Sequence, residues 1–248
     1  MATYQIRAMS VGEILDGTFT IYRRYFGPLI GIAITCYGAP AVLGVYVELR
    51  GGVLFAPGLW GLAMLLQAIG GLIAAGATVK VVSDAFLGRE PVMGDALHFA
   101  LGKIWRILVA GIAKYILVFL ASILLLIPGV IVACGYAVVV QVVVLEDPAS
   151  PTDALGRSWS LTKGSKGRAF VLGVVTFAIL LIPAFVAGVL AAFFQGAFVL
   201  STLVQLLVYP IFGCALTLFY YDLRVRREAF DLEHLSRQLG LGAEPAGA

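Results

Sequence analysis

The chain has 248 residues, of which 61% are hydrophobic and 12% charged, with a mean hydropathy of +1.00 and a formal net charge of +3. Soluble domains are about 25% charged. Half that figure leaves too few ionised groups to coat a water-facing surface, so the expected solvent is a bilayer, and the length leaves no room for a separate soluble catalytic domain of ordinary size.

The first 26 residues hold Glu13, Asp16 and the Arg23-Arg24 pair but no short apolar core with a cleavage site, so no removable signal peptide is expected. At 100° per residue, Val11, Ile14, Leu15, Thr18, Ile21 and Tyr22 share one face of a helix over residues 11–26, with Glu13, Asp16, Arg23 and Arg24 opposite. That pattern suits a helix lying in the membrane interface, and Ser10 with Glu13 reads as its capping box.

Six apolar stretches follow, at 27–47, 57–79, 107–127, 129–145, 169–194 and 196–221. A span needs about 20 apolar residues, so the fourth is at the short limit. Pro183 and Pro210 predict bends in the fifth and sixth. Only helices fit, because each backbone group in hydrocarbon needs a partner within the chain and these runs lack strand alternation. Pro128-Gly129 and Gln195-Gly196 are the expected turns of the last two hairpins.

Of the 17 basic residues, all but Arg50 and Lys114 fall on the segments of one side: Arg7, Arg23, Arg24, Lys80, Arg89, Lys103, Arg106, Arg157, Lys163, Lys166, Arg168, Arg224, Arg226, Arg227 and Arg237. The positive-inside rule then puts both termini in the cytoplasm, as an even number of spans also requires.

The layout of the first amphipathic segment recurs. Residues 93–108 carry Asp95 near the start and Lys103, Trp105 and Arg106 near the end. Residues 150–163 start with Ser150-Pro151-Thr152-Asp153 and run through Leu155 and Trp159 to Lys163. Acid first and base last complement the helix dipole each time. The expected architecture is therefore all-α: about six transmembrane helices and three interfacial amphipathic helices, arranged as three helix-plus-hairpin repeats at about 10–80, 91–146 and 149–222. These form one membrane domain, 1–228, with a cytoplasmic tail at 229–248. A non-repetitive reading, in which any cytoplasmic linker between hairpins is amphipathic, stays open.

Three motifs carry a family likeness: Ser10-Val11-Gly12-Glu13-Ile14-Leu15-Asp16 with Tyr22-Arg23-Arg24; Val142-Val143-Val144-Leu145-Glu146 through Arg157-Ser158-Trp159; and Tyr220-Tyr221-Asp222-Leu223-Arg224-Val225-Arg226-Arg227. With these the chain resembles a broad group of bacterial multi-pass proteins similar to the membrane domain attached to some glycerophosphoryl diester phosphodiesterases. Glu13, Arg157, Trp159, Tyr221, Asp222 and Arg224 are the matching motif positions. The phosphodiesterase barrel is absent, so that activity does not transfer. The resemblance implies a bacterial cytoplasmic-membrane location.

Candidate functional residues fall in two groups. Arg23, Arg24, Lys103, Arg106, Lys163, Lys166 and Arg168 form a basic rim suited to anionic lipid headgroups. Lys114 lies about seven residues, roughly 10 Å, into the third span. It either snorkels to the headgroups or faces inward, with Gln141 the nearest acceptor by span depth. Gln67, Gln141 and Gln205 are single amides of the kind that bond a neighbouring helix. Asp222 is expected to pair with a nearby base. His98 and His234 are far apart, Cys36, Cys134 and Cys214 lie in apolar runs, and no metal, cofactor, disulfide or nucleic-acid site is expected. No phosphate-cradling loop or hydrolase motif occurs. The leading expectation is a non-catalytic scaffold or accessory subunit that binds lipid headgroups or a membrane partner. The alternatives are a small-solute or lipid transporter with a polar site near Lys114, and an intramembrane lipid enzyme, for which no paired acid and base lie at one depth.

Overall fold

The computed structural model describes residues 8–193 and 197–228, and these are all-helical, with no strand among them. The helices are α1 (Val11–Arg24), α2 (Phe26–Leu49), α3 (Pro57–Phe86), α4 (Met93–Leu124), α5 (Leu126–Gly135), α6 (Val139–Leu145), α7 (Pro151–Thr162), α8 (Lys166–Phe193) and α9 (Ala197–Glu228). Six stretches are long and apolar enough to cross a membrane: α2, α3, α4, α5 with α6, Lys166–Leu190 of α8 and Leu203–Glu228 of α9. That is compatible with an integral, multi-pass membrane protein.

The predicted capping box of α1 forms, and α7 has one as well. The Glu13 amide donates to Ser10 Oγ at 3.2 Å, and the Ser10 amide donates to Glu13 Oε2 at 2.7 Å. At α7, Ser150 and Asp153 repeat the exchange at 3.2 and 3.0 Å, with Pro151 at the first helical position, where its missing N–H leaves no bond unmade.

Four expectations change. Residues 93–108 do not form a separate helix. They are the first half of α4, whose 32 residues extend about 48 Å, because nothing between Met93 and Leu124 interrupts the helix. The third and fourth spans reverse at extended Leu125 (φ −166°, ψ 150°) rather than at Pro128-Gly129. Pro128 sits in the first turn of α5, where a helix has no use for its N–H. The fourth span is itself broken over residues 136–138 into α5 and α6. The apolar faces of α1 and α7 lie against protein: Ile14, Thr18 and Ile21 are buried with α1 on α9, and Leu155 and Leu161 of α7 are buried too. The predicted turn at Gln195-Gly196 and the tail at 229–248 lie outside the described residues.

The core sits at one end of the bundle. Val79, Val81, Val82 and Phe86 of α3 meet Ala96, Ala100 and Ile107 of α4 there, together with Val142 to Val144 of α6 and Leu218, Phe219 and Leu223 of α9. Toward the opposite end the helices turn large apolar side chains outward, among them Leu62 and Leu65 of α3, Phe119 and Leu124 of α4, and Phe185 of α8. A bundle in hydrocarbon has no need to cover such side chains. At Gly70, where α3 crosses α2, a Cβ would lie 2.1 Å from the Cys36 carbonyl oxygen. Only glycine allows that approach, as small residues do wherever membrane helices pack closely.

Candidate functional site

The ends of α3, α6 and α9, the starts of α1, α4 and α8, and all of α7 meet at the packed end of the bundle. The charged side chains there bind mainly one another, in three clusters.

In the first, Asp222 of α9 is fully buried. Its carboxylate accepts from the Met9 amide at 2.7 Å, from Arg168 Nη1 at 2.7 Å and from Arg226 Nε at 3.0 Å. Arg168 and Arg226 also donate to the Met9 carbonyl at 2.6 and 2.8 Å. One buried anion thus holds the segment before α1, the first turn of α8 and the last turns of α9. Arg226 lies one turn beyond Asp222, while Arg168 arrives from another helix. Next to Asp222, Tyr221 shares a 2.7 Å hydrogen bond with Ser83 and stacks on Phe86, which ties α9 to α3.

The second cluster centres on Glu146, just past α6. It accepts from Arg157 Nε at 2.6 Å and from the Tyr220 hydroxyl at 2.9 Å. Arg157 also pairs with Glu228, which accepts from Arg224 at 2.8 Å. Burial disfavours the Arg157 guanidinium, but its hydrogen bonds to Glu146 and Glu228 outweigh that and hold its pKa above the ordinary arginine value.

The third cluster is the Asp147 carboxylate with Lys103 at 3.1 Å and Arg106. The hydrogen bond from Lys103, with the charges of both bases, holds the Asp147 pKa below its ordinary value despite slight desolvation. Lys103 also donates to the Val144 carbonyl at 3.0 Å and lies 4.9 Å from the Phe99 ring centre. Lys80 pairs with Asp84 one turn on, at 2.6 Å.

The basic rim therefore divides. Lys103, Arg106 and Arg168 are held by acids of the protein, because each faces a carboxylate from a different segment. Arg23, Arg24 and Lys163 are exposed, with the Arg24 guanidinium 5.5 Å from the Tyr25 ring centre. Lys166 stands 3.3 Å over the ring of Trp159. The Lys163 carbonyl accepts from Arg227.

Trp159 also fills the break in the fourth span. A Cβ on Gly135 would come within 2.3 Å of its ring, so glycine is needed at that position. The Ser158 and Thr162 hydroxyls each donate to the Gly135 carbonyl at 3.0 Å. A broken helix in a membrane protein persists where hydroxyls re-satisfy its freed backbone, and α7 supplies both.

Lys114 and Gln141 do not meet. Lys103 sets the level of α4 against Val143 and Val144. Lys114 is eleven residues further along α4, about 16 Å, whereas Gln141 is only about 4 Å back along α6. Span depth counted along the sequence misplaces the pair, because α4 is continuous and starts beyond the end of α6. The Lys114 ammonium lies 5.9 Å from the centre of the neighbouring Tyr115 ring. Gln141 is 2% exposed, and its Oε1 has no hydrogen-bond partner among them. The described residues contain no group of three His, Cys, Asp or Glu able to hold a metal ion.

Sequence reasoning missed Met9, Glu146, Asp147 and Glu228 as partners. Only Glu146-Asp147-Pro148 left a trace, as a charged turn, and Asp147 there adopts a φ of +51°, which aspartate tolerates better than most residues. No family model, curated protein or solved structure matches the chain.

Proposed function

We propose that this chain is a non-catalytic scaffold or accessory subunit of the bacterial cytoplasmic membrane, related to the multi-pass family it resembles, with both termini in the cytoplasm. It binds anionic lipid headgroups or a membrane protein partner through its basic end. On this reading α1, the start of α4 and α7 are three copies of one amphipathic unit at the cytoplasmic interface, each leading into a transmembrane hairpin. The resemblance and the two formed capping boxes support the repeat, and the one-sided distribution of bases supports the orientation.

The observation that carries the scaffold reading is the mutual engagement of charges at that end. Asp222, Glu146 and Asp147 each join segments distant in the chain, Glu146 through Tyr220, an arrangement suited to a rigid platform. A carrier must interconvert between two arrangements of its spans. Two cavities among the described residues, about 310 and 240 Å³, are lined mostly by apolar residues, and Lys114 is not among their lining residues.

The test is a pair of spin labels, at Gly51 and at Gly88, each paired with a label at Gly156, in proteoliposomes. One narrow distance distribution with and without an ion gradient fits a scaffold. A second population that grows with the gradient fits a carrier and overturns the reading.

A further inference from the structure

α1 lies on α9, with side contacts to α2 and α8, so it occupies the valley that α9 forms between those two helices. It does not fill the valley. At its last turn the Tyr22 hydroxyl donates to the Leu207 carbonyl at 2.7 Å. In the same stretch of α9 opens a cavity of about 310 Å³, lined by Leu29, Ala33 and Tyr37 of α2, Ala75 of α3, Leu180 of α8 and Tyr209 of α9. A second cavity of about 240 Å³ shares Leu180 and Tyr209 with the first and continues it along α8 and α9. The larger falls at the lower end of the ~300–1,000 Å³ range of ligand cavities.

Three features identify the occupant. The α2 wall from Leu29 to Tyr37 is eight residues, about 12 Å, long, which is close to the depth of one leaflet of a ~30 Å hydrocarbon core. The walls belong to four membrane-spanning helices and are apolar apart from Thr78 and the Tyr37 and Tyr209 hydroxyls of the first cavity and Gln205 of the second. At the end of α1 stand Arg23 and Arg24, both exposed, six and five residues before Leu29. They are two rim bases to which no acid partner is assigned among the described residues. Positive charge at the head of a leaflet-deep apolar groove complements a molecule with an anionic head and a hydrocarbon tail.

We propose that the α2–α8 groove binds one acyl chain of an anionic phospholipid, with its phosphate on Arg23 and Arg24. The site rests on the headgroup-binding reading above and makes it specific: one lipid in a built groove, not a diffuse attraction to the whole rim. α1 sets the position of both parts, since its packed face leaves the rest of the valley open and its last turn carries the bases.

The test uses the full chain in nanodiscs containing phosphatidylglycerol or phosphatidylcholine with a diazirine on the acyl chain, with labelled peptides mapped by mass spectrometry. Phosphatidylglycerol should label residues 29–37 and 209–213. Phosphatidylcholine should label them about thirtyfold less, as expected when two bases near an anionic head are both engaged. Arg23→Gln with Arg24→Gln should bring the phosphatidylglycerol yield down to the phosphatidylcholine level. Ala75→Phe and Leu180→Trp, which fill the groove from opposite walls, should each abolish labelling there and leave the outward face of α4 at residues 112–120 labelled as before. If Ala75→Phe does not fold, Leu180→Trp carries the arm alone. Equal labelling by the two lipids, labelling that survives the filled groove, or cross-linking of the groove to a second copy of the chain each overturns the site. If these occur while anionic lipid still co-purifies in excess over neutral lipid, the headgroup reading survives. If that excess is also absent, both fail.

Discussion

The backbone amide of Met9 donates to the buried carboxylate of Asp222 at 2.7 Å, across 213 positions of the chain. Asp222 also accepts from Arg168 and Arg226, and Met9 returns its carbonyl to both guanidiniums. The closure of the bundle therefore depends on one anion. Asp222→Asn leaves two guanidiniums facing a neutral amide. Removing one partner of a buried ion pair costs roughly 3–5 kcal/mol, and the partial exposure of both arginines places the expected loss near the lower bound. Thermal unfolding in detergent should show it. Asp222→Asn and Arg168→Gln should also be strongly non-additive in a double-mutant cycle, and additivity would refute the clamp.

The break in the fourth span gives a second prediction. Gly135→Ala drives a methyl into the Trp159 ring and should destabilise by about 1–3 kcal/mol. Ser158→Ala or Thr162→Ala alone should have a small effect, because the other hydroxyl still reaches the Gly135 carbonyl. The double variant strands that carbonyl, with an expected further loss of about 1–3 kcal/mol. Urea or thermal melts of the four proteins decide it.

Lys114 and Gln141 should be energetically independent. The coupling in Lys114→Met with Gln141→Leu is expected within about 0.5 kcal/mol of zero. Gln141→Leu alone should be neutral or slightly stabilising, since it removes a buried oxygen that has no partner among the described residues. A coupling well above that limit would restore the inward-facing pair.

Asp147 predicts an acid limb of stability. Its pKa is lowered in the folded protein by Lys103 and Arg106 from an ordinary value of 3.8. The folded state therefore binds its proton less readily than the unfolded state. The contribution is fully present above the unfolded pKa and is lost as pH falls through the lower folded value. Stability measured from pH 6 down to pH 3 should decline less steeply below about pH 4 in Asp147→Asn than in the parent. An unchanged acid limb would remove Asp147 from the account.

The orientation is open to a direct measurement. A reporter fused at Gly51, in the turn between α2 and α3, should read outside, and one after Ala248 should read inside. An outside signal at the C-terminus would contradict the positive-inside assignment of the basic end.

Apolar run length and the need to bond every backbone group were enough to read the spans and their helical nature from the sequence, because both depend on local composition. The capping box of α1 was legible for the same reason, since Ser10 and Glu13 are three residues apart. So was the basic side, because loop charges alternate with the spans. Partner choice was not legible. Lys103 and Arg106 meet Asp147 some forty residues away, and Arg168 meets Asp222 fifty-four residues away. Which acid faces which base depends on how helices stack, and no sequence periodicity encodes that. The relative depth of Lys114 and Gln141 failed for the same reason: it required the register of α4 against α6, set by packing at Lys103 and by the break that α7 fills. The groove beside α1 was likewise invisible, because it exists only where α2, α3, α8 and α9 pack and leave a gap between them.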